Sequence, residues 1–211
     1  MKHKSGWYLL FGISIAVGIA AAAPYMTLNP ENSRVALNPA FSWYYLVLVA
    51  HIITAFIALA SGPFQFSKGL RARQPVLHRT LGRLYVICIG ISGILGLVIT
   101  LYITSFVKAL AFLTLCILWL FTVWKGYRTA RSKQFDAHRL WMVRSYAITL
   151  VAVTARLIVP LCILLYAALH GFTIPGGRES MIANILEVNI WIGLVVNIVI
   201  VEWCMMKKQL F

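Results

Sequence analysis

Six long apolar runs constrain this chain more than any single motif. They extend over roughly 7–26, 43–66, 81–104, 106–124, 140–169 and 181–203, and about 20 apolar residues are enough to cross the hydrocarbon core of a bilayer as a helix. Lipid offers no partner for an unpaired backbone amide, so each run is expected to be helical. The connections between runs are short, and 61% of residues are hydrophobic against 11% charged. No soluble domain is left over. Residues 1–211 read as one all-α transmembrane domain with six spans.

Lysines and arginines set the expected orientation. With both termini cytoplasmic, Lys2, Lys4, Lys68, Arg71, Arg73, Arg79, Arg83, Lys125, Arg128, Arg131, Lys133, Arg139, Arg144, Lys207 and Lys208 fall inside, which is 15 of the 19. Arg34, Lys108 and Arg178 fall outside, and Arg156 lies within a span. The localisation implied is a bacterial cytoplasmic (inner) membrane. The net charge of +14 then reports topology and attraction to anionic lipid headgroups, and no aromatic-basic motif of a nucleic-acid module accompanies it. Lys2-His3-Lys4, an apolar stretch and Ala20 to Ala23 before Pro24 have the outline of a signal peptide, but the stretch is long for one and reads as a retained helix. Cys88, Cys116, Cys162 and Cys204 all lie within spans and read as small packing residues.

Two basic loops, 67–80 and 125–137, both end in His-Arg, at His78-Arg79 and His138-Arg139. Arg83 and Tyr85 follow the first pair; Arg144 and Tyr146 follow the second. Spans 2 and 3 thus match spans 4 and 5 in the same orientation, a pseudo-repeat predicting a four-helix core bundle with spans 1 and 6 outside it. Gly90, Gly93 and Gly96 in span 3, and Gly18 in span 1, mark expected close approaches. Pro160 predicts a bend in span 5.

Helical spacing gathers the intramembrane polar residues into stripes. His51, Thr54, Ser61 and Gln65 share a face of span 2. His138, Met142, Ser145, Thr149, Ala152 and Arg156 form a seam along span 5, and Asn184, Glu187 and Trp191 share a face of span 6. Charges within a bilayer face the protein interior by default, so Arg156 and Glu187 are expected to point inward and to be able to pair. His51, Gln65, Arg156 and Glu187 define an expected polar intramembrane site. For His51 a hydrogen bond across helices, metal or haem ligation, and a proton-relay or quinone contact all stay open.

His78 and His138 admit three readings. They can be interfacial residues whose arginines only set topology. They can be two axial ligands of a haem iron, presented from facing helices. They can also join Arg79, Arg139, Arg83 and Arg144 as an anion site for a lipid phosphate or a haem propionate. His51 lacks a histidine partner on the outer side, so one bis-histidine haem is the most the chain could hold. Hydrolase, zinc-protease and phosphate-loop signatures are absent.

The strings GPFQF (62–66), HRTLGRLYV (78–86) and HRLWMVRSYAITLVAVTAR (138–156) together resemble the membrane-protein family catalogued as domain of unknown function 2306, over roughly residues 45–170. The resemblance implies a polytopic membrane protein with signature positions His51, Gln65, His78, Arg79, Gly82, Arg83, His138, Arg139, Trp141, Arg144 and Arg156, and no established activity. A looser likeness to cytochrome b561-type haem bundles rests on histidines at helix ends. The leading expectation is a membrane redox protein that binds b-type haem or a quinone through His78 and His138, with a membrane redox partner. A transport or binding protein with a polar intramembrane path, or an assembly factor for a respiratory complex, are the alternatives.

Overall fold

The computed structural model describes residues 2–209. The side chains of residues 2–5, 7, 208 and 209 lie outside that description, and with them the expected roles of Lys2, His3, Lys4 and Lys208. The described chain is helical: α1 (Lys2–Ala22), α2 (Tyr44–Gln65), α3 (Lys68–Arg73), α4 (Pro75–Thr100), α5 (Phe106–Arg131), α6 (Phe135–Thr149), α7 (Val151–Leu157), α8 (Val159–Leu169) and α9 (Gly177–Gln209). Five helices, α1, α2, α4, α5 and α9, are long and apolar enough to cross a membrane, and the bent pair α6–α7 makes a sixth if it counts as one span.

Local chemistry starts and stops these helices. The Ser105 hydroxyl accepts from the Lys108 amide (3.3 Å) to open α5, and the Ser67 hydroxyl accepts from Leu70 (3.2 Å) to open α3; each satisfies an amide the helix itself cannot. Pro75 occupies the first turn of α4, where a missing N–H costs nothing. After α9's predecessor ends at Leu169, the chain reverses through Gly171 and Phe172, both at positive φ (61° and 59°).

The fifth apolar run is not one helix. The expected break near Pro160 falls at Ile158, between α7 and α8. A break the sequence reading did not anticipate falls at Leu150, where α6 and α7 meet at 40°. Two local contacts accompany it. The Thr149 hydroxyl bonds back to the Ser145 carbonyl (3.0 Å), a contact often found where helices bend, and the Val153 amide turns to the Leu150 carbonyl (3.0 Å), a tighter i→i+3 bond.

The core also departs from expectation. Ala58 of α2, Tyr85 and Ile89 of α4, Trp119 and Val123 of α5, Met142 and Tyr146 of α6, Val151 and Ala155 of α7, and Ile190 and Leu194 of α9 form one buried cluster. The sixth span therefore belongs to the core and does not pack outside a four-helix bundle. Glycine explains how closely it approaches: a Cβ at Gly193 would stand 3.2 Å from the Ala155 nitrogen and 3.3 Å from the Val151 oxygen. Gly93 and Gly96 make the expected close approaches, to Leu120 and Cys116, whereas Gly90 faces open space. At the end away from most arginines, Tyr25, Tyr44, Leu48 and Val49 form a second cluster. There the loop after α1 is held down by the Phe41–Tyr102 stack (4.8 Å) and by the Asn38 amide donating to the Tyr102 carbonyl (3.2 Å).

Candidate functional site

A heptad step organises the interior face of α4. His78, Tyr85 and Ser92 are spaced by seven residues, about 10.5 Å of rise per step, and each meets polar partners from neighbouring helices. The outermost, Ser92, meets His51: the His51 Nδ1–H donates to the Ser92 carbonyl (2.8 Å), and the Ser92 hydroxyl donates to the His51 carbonyl (3.1 Å). His51 is thus a histidine hydrogen-bonded across helices. Gly96 leaves the space its ring occupies, since a Cβ there would lie 3.2 Å from His51 Cε1.

The middle position, Tyr85, is fully buried (1% exposed). Its hydroxyl lies 3.1 Å from both Ser145 Oγ and Thr149 Oγ1, and the Trp119 indole donates to Thr149 (2.9 Å). Counting protons assigns every bond. Thr149 spends its own proton on the Ser145 carbonyl, so it accepts from both Trp119 and Tyr85, and Ser145 donates to Tyr85. Tyr146, the repeated tyrosine of the second unit, donates to the Leu59 carbonyl (3.3 Å), its ring filling the place of the side chain Gly62 lacks.

The third position, His78, lies at the basic end. Gln65, from the last turn of α2, reaches the α4 backbone where Gly82 has no side chain. Its amide oxygen accepts from the Gly82 N–H (3.2 Å), and its nitrogen donates toward the His78 carbonyl and Nδ1 (both 3.2 Å). A carbonyl can only accept, so the amide nitrogen must face it, and the amide in turn makes His78 Nδ1 an acceptor. The proton of the neutral ring therefore sits on Nε2. His138 has the opposite tautomer: its Nδ1–H donates to the Gly126 carbonyl (2.8 Å), leaving a lone pair on Nε2.

Register brings these rings to the same level. α4 and α6 run parallel, separated in sequence by α5. Tyr85 of α4 bonds Ser145 of α6, and one heptad back from each stand His78 and His138. Arg71 and His138 are ionisable groups near enough to act on His78. Each histidine also closes the first turn of its helix in the same way, through its amide to the Gln74 carbonyl (3.0 Å) and the Gln134 carbonyl (2.8 Å).

The expected arginines divide into two kinds. Arg144 is committed to a bidentate pair with Glu202 of α9 (2.6 and 2.9 Å), which pins α6 to α9 and withdraws it from the expected anion site. Among the described residues Arg79 bonds only the Pro75 carbonyl of its own helix (3.3 Å). Arg83 and Arg139 are exposed and make no hydrogen bond or ion pair among the described residues. No group of three histidine, cysteine or carboxylate side chains placed to hold a metal ion exists among the described residues.

The expected polar intramembrane site does not assemble either. Gln65 and His51 are far apart along α2, and Gln65 belongs with His78. Glu187 accepts from the Ser105 hydroxyl (2.9 Å), and Arg156 is exposed, bonded to the Ala152 carbonyl of its own helix (2.6 Å). The seam of span 5 holds inward through His138, Met142, Ser145 and Thr149, then fails because the helix bends at Leu150 and carries Arg156 off its line. Glu202 and Trp119 were not expected to take part; the 78–85–92 heptad was the available signal for the polar interior, and of its members Ser92 went unread beside His78 and Tyr85.

Fold and site together define a multi-span helical membrane protein with a hydrogen-bonded polar interior. Residues 48–205 match the family described as predicted membrane protein (DUF2306), and the chain belongs to that family. The match runs past the 45–170 stretch of the sequence motifs and takes in α9, in line with that helix's place in the core. No curated protein and no solved structure matches the chain.

Proposed function

We propose that this is a membrane redox protein that binds a quinone head group between His78 and His138. The observation that carries the reading is the hydrogen bonding of the two rings at Nδ1, to the Gln65 amide and to the Gly126 carbonyl, which assigns opposed tautomers: His78 an N–H at Nε2 and His138 a lone pair at Nε2. A quinone carbonyl accepts from the first, and the hydroxyl of a quinol donates to the second. Two protons and two electrons separate the two forms. The histidines handle protons, and a membrane redox partner supplies or takes the electrons. Haem b ligated by both rings is the other form of this reading. Iron needs a lone pair on each Nε2, so at His78 the Gln65 contact would first have to be rearranged, which favours the hydrogen-bonded ligand.

The test is a titration of the purified protein in lipid nanodiscs with a short-chain quinone, alongside an absorption spectrum. Each hydrogen bond is worth about 1 kcal/mol, so His78→Ala and His138→Ala should each weaken quinone binding about fivefold. Binding unchanged in both variants would overturn the quinone site. A Soret band lost in either variant would replace it with haem.

One observation favours a second reading, a proton path. The 78–85–92 stripe runs from His78 to His51 through hydroxyl groups. Proton flux into liposomes that falls on Tyr85→Phe would support it, and flux equal to that of empty vesicles would sink it. For topology we propose six spans, α6–α8 forming the fifth, with both termini cytoplasmic in a bacterial inner membrane. The lysine and arginine asymmetry supports this orientation. The matched hairpins α2–α4 and α5–α6, each placing a histidine on the fourth residue after a glutamine, support the pseudo-repeat.

A further inference from the structure

We infer that the groove between α5, α6 and α9 at the basic end is a site for one acyl chain of an anionic phospholipid, whose phosphate lies against Lys125 and Arg128. The groove holds about 170 Å³ and is walled by Leu118, Phe121, Trp141, Ile148 and Ile198. That volume is well below the several hundred Å³ of a site for a compact small molecule, and the lining is apolar. It suits a length of hydrocarbon chain. Of the polar groups that line the groove, Arg144 and Glu202 pair with each other and the Thr122 hydroxyl bonds the backbone of its own helix.

What stands over the walls sets the headgroup. The Lys125 ammonium lies 5.9 Å from the centroids of both Phe121 and Trp141, the two aromatic walls, and 5.6 Å from that of Trp124. The Arg128 guanidinium lies 5.3 Å from the Trp124 ring. Ring faces hold both cations in place, yet neither has a carboxylate partner among the described residues. Two oriented, uncompensated positive charges above an apolar slot complement a lipid phosphate above its acyl chain. This goes beyond the quinone reading and uses none of its residues.

The experiment uses the full chain in liposomes that contain brominated phosphatidylglycerol or brominated phosphatidylcholine, read by quenching of tryptophan fluorescence. Trp141 forms the groove wall, so its share of the quenching is the difference between the protein and its Trp141→Phe variant. The expected result is that this share favours phosphatidylglycerol by about fivefold or more, the preference one cation near an anionic surface supplies. It should vanish in Lys125→Gln/Arg128→Gln and survive in Lys68→Gln/Arg73→Gln, which removes the same charge elsewhere on the basic end. Equal quenching by the two lipids, or selectivity that survives the first double variant, would overturn the site.

Discussion

Replacing Thr149 by valine tests the polar interior most directly, because valine keeps the shape and removes only the hydroxyl. Thr149 accepts from Trp119 (2.9 Å) and Tyr85 (3.1 Å) and donates to the Ser145 carbonyl (3.0 Å). After the change Tyr85 still has Ser145, 3.1 Å away. Trp119 has nothing: its indole N–H is buried at the centre of the core with no second acceptor. An orphaned buried donor costs about 1–3 kcal/mol, while interhelical hydrogen bonds in membranes average only about 0.6 kcal/mol with a maximum near 1.7. The orphan dominates, because Trp119 and Thr149 are both buried in the core, and the expected loss is about 1–2 kcal/mol. Trp119→Phe removes the stranded donor, so the double variant should be more stable than the sum of the single losses, with a coupling of about 1 kcal/mol. Reversible unfolding in mixed micelles, followed by circular dichroism, measures all four proteins. A Thr149→Val protein within 0.5 kcal/mol of the parent, or a cycle without coupling, would refute the hydrogen-bond assignment.

Two glycine substitutions should act in opposite directions in the same assay. Gly193→Ala meets the α7 backbone, which cannot rotate away, and should cost about 1–3 kcal/mol, whereas Gly90→Ala enters open space and should gain about 0.5–1 kcal/mol from helix propensity; equal effects would contradict the packing of α9. The Arg144–Glu202 pair is bidentate but its side chains are 30% and 41% exposed, so Glu202→Gln should cost no more than about 1 kcal/mol and less at high salt. A loss of several kcal/mol would mean the pair is far better shielded than its exposure indicates. Nitrogen-15 NMR of labelled histidines should find the proton of His78 on Nε2 and that of His138 on Nδ1. Gln65→Leu should shift His78 toward a tautomer mixture and leave His138 unchanged; a response of both rings, or of neither, would count against the contact.

Some of this protein was readable before any fold was known, for reasons of solvent. Hydrocarbon forbids unpaired amides, so apolar runs of sufficient length had to be helices, and basic residues gathered at one end without regard to packing. Gln65, His78 and Gly82 were legible as positions of the family motif, although Gln65 was expected beside His51 and not beside His78. Gln65 needs a gap in the α4 surface to reach the backbone, and only glycine provides one. Legibility failed where extrapolation along a straight helix was required. The seam from His138 to Arg156 is correct until Thr149 and wrong after it, because the helix axis turns by 40° at Leu150.

The sequence by itself thus determined the membrane-spanning helices, their charge asymmetry and the identity of the polar residues, since those follow from each residue's own transfer between water and lipid. Only the tertiary structure decided the partnerships: Arg144 with Glu202 where Arg156 with Glu187 had been expected, His51 with Ser92, and His78 with Gln65. Hydrogen bonds and ion pairs depend on angles and on distances of about 3 Å. Those are set by helix register and by a bend at Leu150 that the spacing of residues along a straight helix does not show.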